Sequence, residues 1–240
     1  MNQNNKKLEL LGSIPIQKAL LTLGLPTMIG MLINALYNIV DTYFVGGLGT
    51  HQMGAVTVVF PLGQIIVGLG LLFGNGAAAY LSRLLGCGDK DTANKVTSTA
   101  LYSSLFVGAI MIIFSVIFLK PILKQIGAID NVMPYAMTYA RIYITFSIFN
   151  IFNVTMNNIV SSEGSAKTAM SALLAGALLN VILDPIFIYT FDYGIAGAAI
   201  ATAISQIVST FVYLRYILLK KSIFNYSIKE CQFSKQIMSE

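Results

Sequence analysis

Six long apolar runs, at about 19–45, 53–80, 96–119, 135–160, 168–191 and 195–219, take up nearly all of this 240-residue chain. Each exceeds the ~20 residues that a helix needs to cross a hydrocarbon core. Charged residues are 10% of the chain against 56% hydrophobic, with a mean hydropathy of +0.74. A soluble domain would carry about a quarter charged residues. The expected fold class is therefore an all-α membrane protein, a six-transmembrane-helix bundle embedded in the lipid bilayer.

This divides the chain into an amino-terminal cytoplasmic or interfacial segment, 1–18, the bundle, 19–219, and a cytoplasmic linker, 220–240. The stretch from Leu8 to Leu20, broken by Pro15 and punctuated by Lys18, is expected to lie along the membrane surface. The first run begins too late and is too long and polar for a cleaved signal peptide.

Orientation follows from the basic residues, because loops rich in them stay in the cytoplasm. With both termini inside, Lys6, Lys7, Lys18, Arg83, Lys90, Lys95, Lys167, Arg215, Lys220, Lys221, Lys229 and Lys235 share the cytoplasmic side. Lys120 and Lys124 lie opposite, with Arg141 near the outer end of the fourth span. This asymmetry accounts for the net charge of +5 without a nucleic-acid partner. Cys87 and Cys231 both fall on the cytoplasmic side, so they are expected to be reduced and unpaired. The single histidine, His51, lies in a short external loop, and no HExxH or GxSxG string occurs, which argues against an enzyme.

Polar residues inside the spans are the functional clue, since an intramembrane carboxylate costs several kcal/mol. Asp41 and Asp184 are the two acids that interrupt long apolar stretches. Asn34, Tyr37, Asn38 and Asp41 recur at helical spacing on the first span; Asn150, Asn153 and Asn157 do so on the fourth. Asn180 and Asp184 are one turn apart on the fifth, and Thr202 and Gln206 on the sixth, with Ala198 a turn earlier. Such stripes cannot face lipid cheaply and should converge. An oxygen-only set with two carboxylates suits a proton or Na⁺ and not zinc or copper. Two carboxylates close together in low dielectric do not both ionise readily without a cation.

Pro26, Pro61 and Pro185 fall within spans, where each removes a backbone donor and kinks or loosens its helix. The glycine- and alanine-rich strings GLGLLFGNGAAA, ALLAGALLN and GIAGAAIATAIS read as close helix contacts. The short turn at Asp192 to Gly194 makes the last two spans antiparallel neighbours, with Asp192 a cap or turn residue. Asp89 and Glu163, beside Lys90 and Lys167, read as solvated loop charges.

Three segments together, LGLPTMIGMLINALYNIVDTYFVGGLG, GLLFGNGAAAYLSRLLGCGDKDTANK and ALLNVILDPIFIYTFDYGIAGAAIATAIS, resemble the multidrug and toxic compound extrusion (MATE) family on its DinF-like branch. The resemblance runs from about residue 14 to 220. It implies a secondary efflux antiporter that expels amphipathic, often cationic, drugs in exchange for H⁺ or Na⁺ and needs no other cofactor. It further implies a twelve-helix architecture of two six-helix lobes around a cleft, of which this chain matches the first. A second lobe is then the expected partner, and the chain reads as a fragment of a longer one.

By the same resemblance, Asp41, Asn180, Asp184, Thr202 and the carbonyl of Ala198 would form the cation-coupling site. Asn34, Tyr37, Asn153 and Asn157 would line the substrate cavity, and Pro26 would be the bending point of the first helix. A lipid-linked sugar flippase of similar architecture and a non-transporting membrane scaffold are the rival readings. The flippase would need basic residues inside its cavity, and Arg141 alone approaches a span's interior.

Overall fold

The structure is a computed structural model that describes residues 15–227 together with Glu230 and Cys231. The expected surface stretch Leu8–Leu20 falls largely outside these residues, as do Lys6, Lys7, Lys229, Lys235 and most of the proposed linker. Among the described residues there is no strand. The helices are α1 (Ile16–Gly46), α2 (Thr50–Cys87), α3 (Lys90–Ile117), α4 (Leu119–Ile126), α5 (Met133–Ser162), α6 (Ala166–Pro185) and α7 (Gly194–Leu218).

Among the described residues, five helices are both long and apolar enough to cross a membrane: α1 from Leu20, α2, α3, α6 continued through Thr190, and α7. The fourth expected span, α5, has 30 residues but carries Arg141, Asn150, Asn153, Asn157 and Asn158, which lower its hydropathy. Its position compensates, because α5 packs against α2, α3, α4, α6 and α7 and turns its amides toward protein. The bundle thus keeps its six long helices, with the most polar one at the hub.

One element departs from the sequence reading. The third apolar run breaks at Phe118, and Leu119–Ile126 form a separate short helix ending at Gly127 in a left-handed conformation (φ 111°). Its Leu119 and Leu123 are buried, while Lys120 and Lys124 point outward, an amphipathic pattern suited to an interface rather than to a span.

The proline expectations divide. α1 runs unbroken through Pro26, and α2 through Pro61. Past Pro185 the backbone widens into a π-helical stretch, Ile186–Thr190, closed by Phe191 N–H donating to the Ile186 carbonyl five residues back (2.9 Å). Pro185, which has no N–H to donate, stands immediately before this stretch. Asp192 then turns the chain at a positive φ of 55°.

Small residues act where expected. A Cβ on Gly70 would meet the Val154 side chain at 2.7 Å, and one on Gly74 would meet Asn158 and Thr155 of α5 at 3.0–3.2 Å. This closeness lets α2 lie against the hub.

Buried clusters mark the two ends. Val45, Ala55, Leu119, Leu123, Val132, Ile188 and Ile195 pack at one, and Leu81, Leu84, Ala93, Val96, Ile159 and Phe224 at the other. The second end carries Arg83, Lys90, Lys95, Lys167, Arg215, Lys220 and Lys221 on its helix termini and turns. Cys87 and Cys231 are free thiols.

Candidate functional site

Asp41 on α1 and Asp184 at the end of α6 face each other at hydrogen-bonding range. Asp184 is wholly buried and Asp41 half-buried. Asp41 Oδ1 and both carboxyl oxygens of Asp184 have no hydrogen-bond donor. Two acceptors turned toward each other need a proton or a cation between them, since otherwise each retains the cost of an unpaired buried group.

The surroundings supply further oxygens. Asn180, one turn before Asp184, is 1% exposed; its Nδ2 donates to Thr202 Oγ1 (3.4 Å), and its Oδ1 has no donor. The Tyr37 hydroxyl lies near both acids and reaches Thr202. Ala198 is fully buried one turn before Thr202. Tyr139 and Tyr143 of α5 are buried or half-buried near Asp41 and were not singled out from the sequence. Asp41, Asp184, Asn180, Thr202 and Tyr37 all offer oxygen atoms, the ligand type that suits a hard cation.

The expected stripe on α1 divides. Tyr37 and Asp41 turn inward, whereas Asn38 is exposed and donates to the Asn34 carbonyl (2.7 Å) and Oδ1 (2.9 Å). Adjacent residues point about 100° apart, which puts Asn38 on the outer edge of the stripe and Tyr37 on its inner edge. The α5 stripe turns toward α7. Asn153 Nδ2 donates to the Gln206 carbonyl (2.9 Å) and Oε1 (2.8 Å), while its Oδ1 accepts from Thr210 (2.9 Å). Asn157 donates to the Tyr213 hydroxyl (3.1 Å).

Below the acid pair is a cavity of about 70 Å³ bounded by Asn34, Tyr37, Asn153, Asn180, Thr202 and Ser205, and by Gln206, Ser209 and Tyr213 farther along α7. Ser205, Ser209 and Tyr213 escaped the sequence reading. Their spacing from Thr202 is that of one helical face, which was the available signal.

Glu163 corrects an expectation. It is completely buried, not solvated, and accepts from the hydroxyls of Tyr216 and Ser222 and from Ile223 N–H (2.8 Å). Burial and then the nearby Glu163 charge push the Tyr226 phenol above its ordinary range. Asp89 also has a defined task as the N-cap of α3, although it remains solvated.

The MatE family profile matches residues 26–186, about two thirds of the chain. This chain belongs to the MatE family. It is 33% identical over 227 residues to the multidrug export protein MepA of Staphylococcus aureus, covering 94% of this chain and 50% of that protein. MepA of Staphylococcus saprophyticus is likewise 33% identical, over 224 residues.

Solved MATE structures superpose closely, one in a straight conformation (TM-score 0.91, 33% identity, covering 97% of this chain and 52% of that one) and one in a bent conformation (TM-score 0.89, 33% identity, the same coverage). A transporter of the MOP superfamily from Pyrococcus furiosus matches at TM-score 0.90 and 33% identity, over 97% of this chain and 52% of its own. The MatE chain described here is thus a multi-pass membrane protein that spans about half the length of these relatives.

Proposed function

We propose that this chain forms the first six-helix lobe of a secondary multidrug antiporter, exporting amphipathic or cationic drugs in exchange for H⁺ or Na⁺. The observation that carries the reading is the facing pair Asp41 and Asp184, buried without a donor among oxygen ligands. Asn180, Thr202 and the carbonyl of Ala198 complete the cation site. Loading a cation relieves the acid pair and thereby changes the preferred packing of α1 on α6, with Pro26 as the bending point.

The second lobe packs against the exposed side of α1, and the relatives' double length supports its existence. Asn34 and Asn38 are exposed on α1, where contact with lipid would be costly. A cleft between two lobes gives these amides a polar neighbour, and Asn34, Tyr37, Asn153 and Asn157 would contribute to the drug-binding wall. Residues 1–18 and 220–240 would flank the lobe at its cytoplasmic end. The basic termini gathered at one end support a plasma-membrane protein with both ends of this lobe inside. No lysine or arginine lines the cavity, which disfavours a flippase for pyrophosphate-linked sugars.

The deciding experiment is drug flux by the full-length transporter in proteoliposomes, with Na⁺ and pH gradients imposed one at a time. One gradient should drive export, and Asp41→Asn should abolish that drive while leaving a folded protein. Efflux that persists unchanged in the Asp41→Asn variant overturns the reading.

A further inference from the structure

The two helices that carry the acids are joined a second time, past the acid pair and away from the basic end of the bundle. Phe44 lies three residues beyond Asp41, near the end of α1, and Tyr189 lies five beyond Asp184, in the π-helical stretch. The Tyr189 hydroxyl donates to the Phe44 carbonyl (2.7 Å), and the two rings meet edge to face with centroids 6.3 Å apart.

The acceptor is one that the helix leaves open. The last four carbonyls of a helix have no partner inside it. At the end of α1, Gly47 N–H donates to Tyr43 (3.3 Å), Leu48 N–H to Val45 (3.0 Å) and Gly49 N–H to Gly46 (3.4 Å), which leaves the Phe44 carbonyl to Tyr189. Gly47 fits the same arrangement. Its backbone is ordinary right-handed helix (φ −67°), open to any residue, yet a Cβ there would collide with the Tyr189 hydroxyl, while the next atoms, the Phe44 oxygen and Tyr189 Cζ, stand at 3.4 and 3.5 Å.

Little else fixes this end of α1. Of its described residues only Pro26, Gly30 and Val45 are buried, and the first two lie three to five turns before Phe44. Val45 packs without direction, whereas a hydrogen bond sets an orientation. Tyr189 is itself 48% exposed, so water competes for its hydroxyl and the bond opens at modest cost. A joint that is directional and weak, one turn from Asp41, governs how often Asp41 faces Asp184.

We propose that Tyr189 is a positioning residue for ion coupling: its hydroxyl latches the end of α1 to the turn after Asp184, and the affinity of the site for its ion depends on that latch. Tyr189 does not touch the ion. The proposal rests on the reading of Asp41 and Asp184 as the coupling site.

The test measures drug export by the full-length transporter in proteoliposomes and reads the half-saturating ion concentration separately from the maximal rate, with Na⁺ and pH varied in separate arms. Tyr189→Phe keeps the ring and removes the donor. It should raise the half-saturating concentration of the effective ion about fivefold, the worth of one neutral hydrogen bond, with the maximal rate within about twofold of the wild type. Gly47→Ala, which displaces the same hydroxyl from the other side, should give a similar shift and stands in for Tyr189→Phe should that variant not be recovered folded. The double variant should be no worse than either single one, because both remove one bond.

An unchanged half-saturating concentration in Tyr189→Phe or in Gly47→Ala overturns the latch and leaves the coupling site standing. So does a fall in maximal rate alone, or a double variant whose shift is the product of the two single ones. A wild type that responds to neither ion overturns the coupling site itself, and the latch with it.

Discussion

Glu163, in the turn between α5 and α6, accepts a hydrogen bond from the Tyr216 hydroxyl on α7, and both side chains are buried. The same carboxylate receives the Ser222 hydroxyl and Ile223 N–H (both 2.8 Å), so it fastens the chain that follows α7 onto the bundle. Tyr102 donates to the Tyr226 carbonyl (3.0 Å), and Asn225 N–H donates to Asn94 Oδ1 (2.9 Å), which ties the same segment to α3. Glu163→Ala would strand several buried donors together. Its expected cost is about 3 kcal/mol, read as a fall of several degrees in the detergent-solubilised Tm. Glu163→Gln keeps an acceptor and should lose clearly less. Equal Tm values for the Ala variant and the wild type would contradict the fastening role.

Gly197 shows how tightly α7 meets the backbone downstream of Asp184. A Cβ there would lie 2.6 Å from the Phe187 carbonyl carbon and oxygen and 2.9 Å from Ile188 nitrogen, all backbone atoms of the π-helical stretch. No rotamer change relieves such a contact, so Gly197→Ala should cost about 3 kcal/mol, the upper range for overpacking. Because the displaced turn directly follows Asp184 and Pro185, cation-dependent stabilisation should weaken along with Tm. Full retention of both would show that the turn can shift without strain.

What sequence disclosed depended on whether a signal was periodic within one helix. Tyr37 and Asp41, Asn180 and Asp184, and Thr202 share faces at steps of three and four residues, and the fold brings those faces together. Asn38 lies one step from Tyr37, and only three-dimensional placement shows that it turns outward. Glu163 was illegible for another reason: its partners Ser222 and Ile223 are some sixty residues away, and the adjacent Lys167 gave a local picture of a solvated charge. The short helix Leu119–Ile126 was concealed by apolar neighbours, although Pro121, the two lysines and Gly127 were present as signals. Ser205 fell at the end of the small-residue string GIAGAAIATAIS, a packing role that spacing alone cannot separate from a cavity wall.

Asp89 provides a pH test outside the spans. Its carboxylate accepts from Thr92 N–H (3.0 Å) and the Thr92 hydroxyl (2.6 Å) at the start of α3, and these bonds hold its pKa below the ordinary aspartate value. A carboxyl depressed in the folded state contributes stability above its unfolded pKa, and that contribution disappears as pH falls through the folded value. The Tm advantage of the wild type over Asp89→Ala should therefore be present at neutral pH and shrink as the solution is acidified below the usual carboxylate range. Asp89→Ser, which retains a capping oxygen without titrating, should show a flatter profile. An advantage that grows on acidification would reverse the sign and exclude the cap as its source.

The acid pair should cost stability for the sake of coupling. Without a cation, Asp41 Oδ1 and the two Asp184 oxygens are acceptors facing one another with no donor. Asp184→Asn introduces an amide that can donate to Asp41 and removes one charge from the pair. The ion-free variant should therefore be more stable than the ion-free wild type, by about 1–2 kcal/mol. The wild type should recover when its ion is added, since a ligand at a hundred times its Kd stabilises by about 2.7 kcal/mol. Thermal unfolding across a Na⁺ series at fixed pH, and across a pH series without Na⁺, would give a rising Tm for the wild type in one series and a flat line for Asp184→Asn in the same one. If the variant is less stable than the ion-free wild type and still responds to the ion, the carboxylates hold helices together and do not bind the coupling cation.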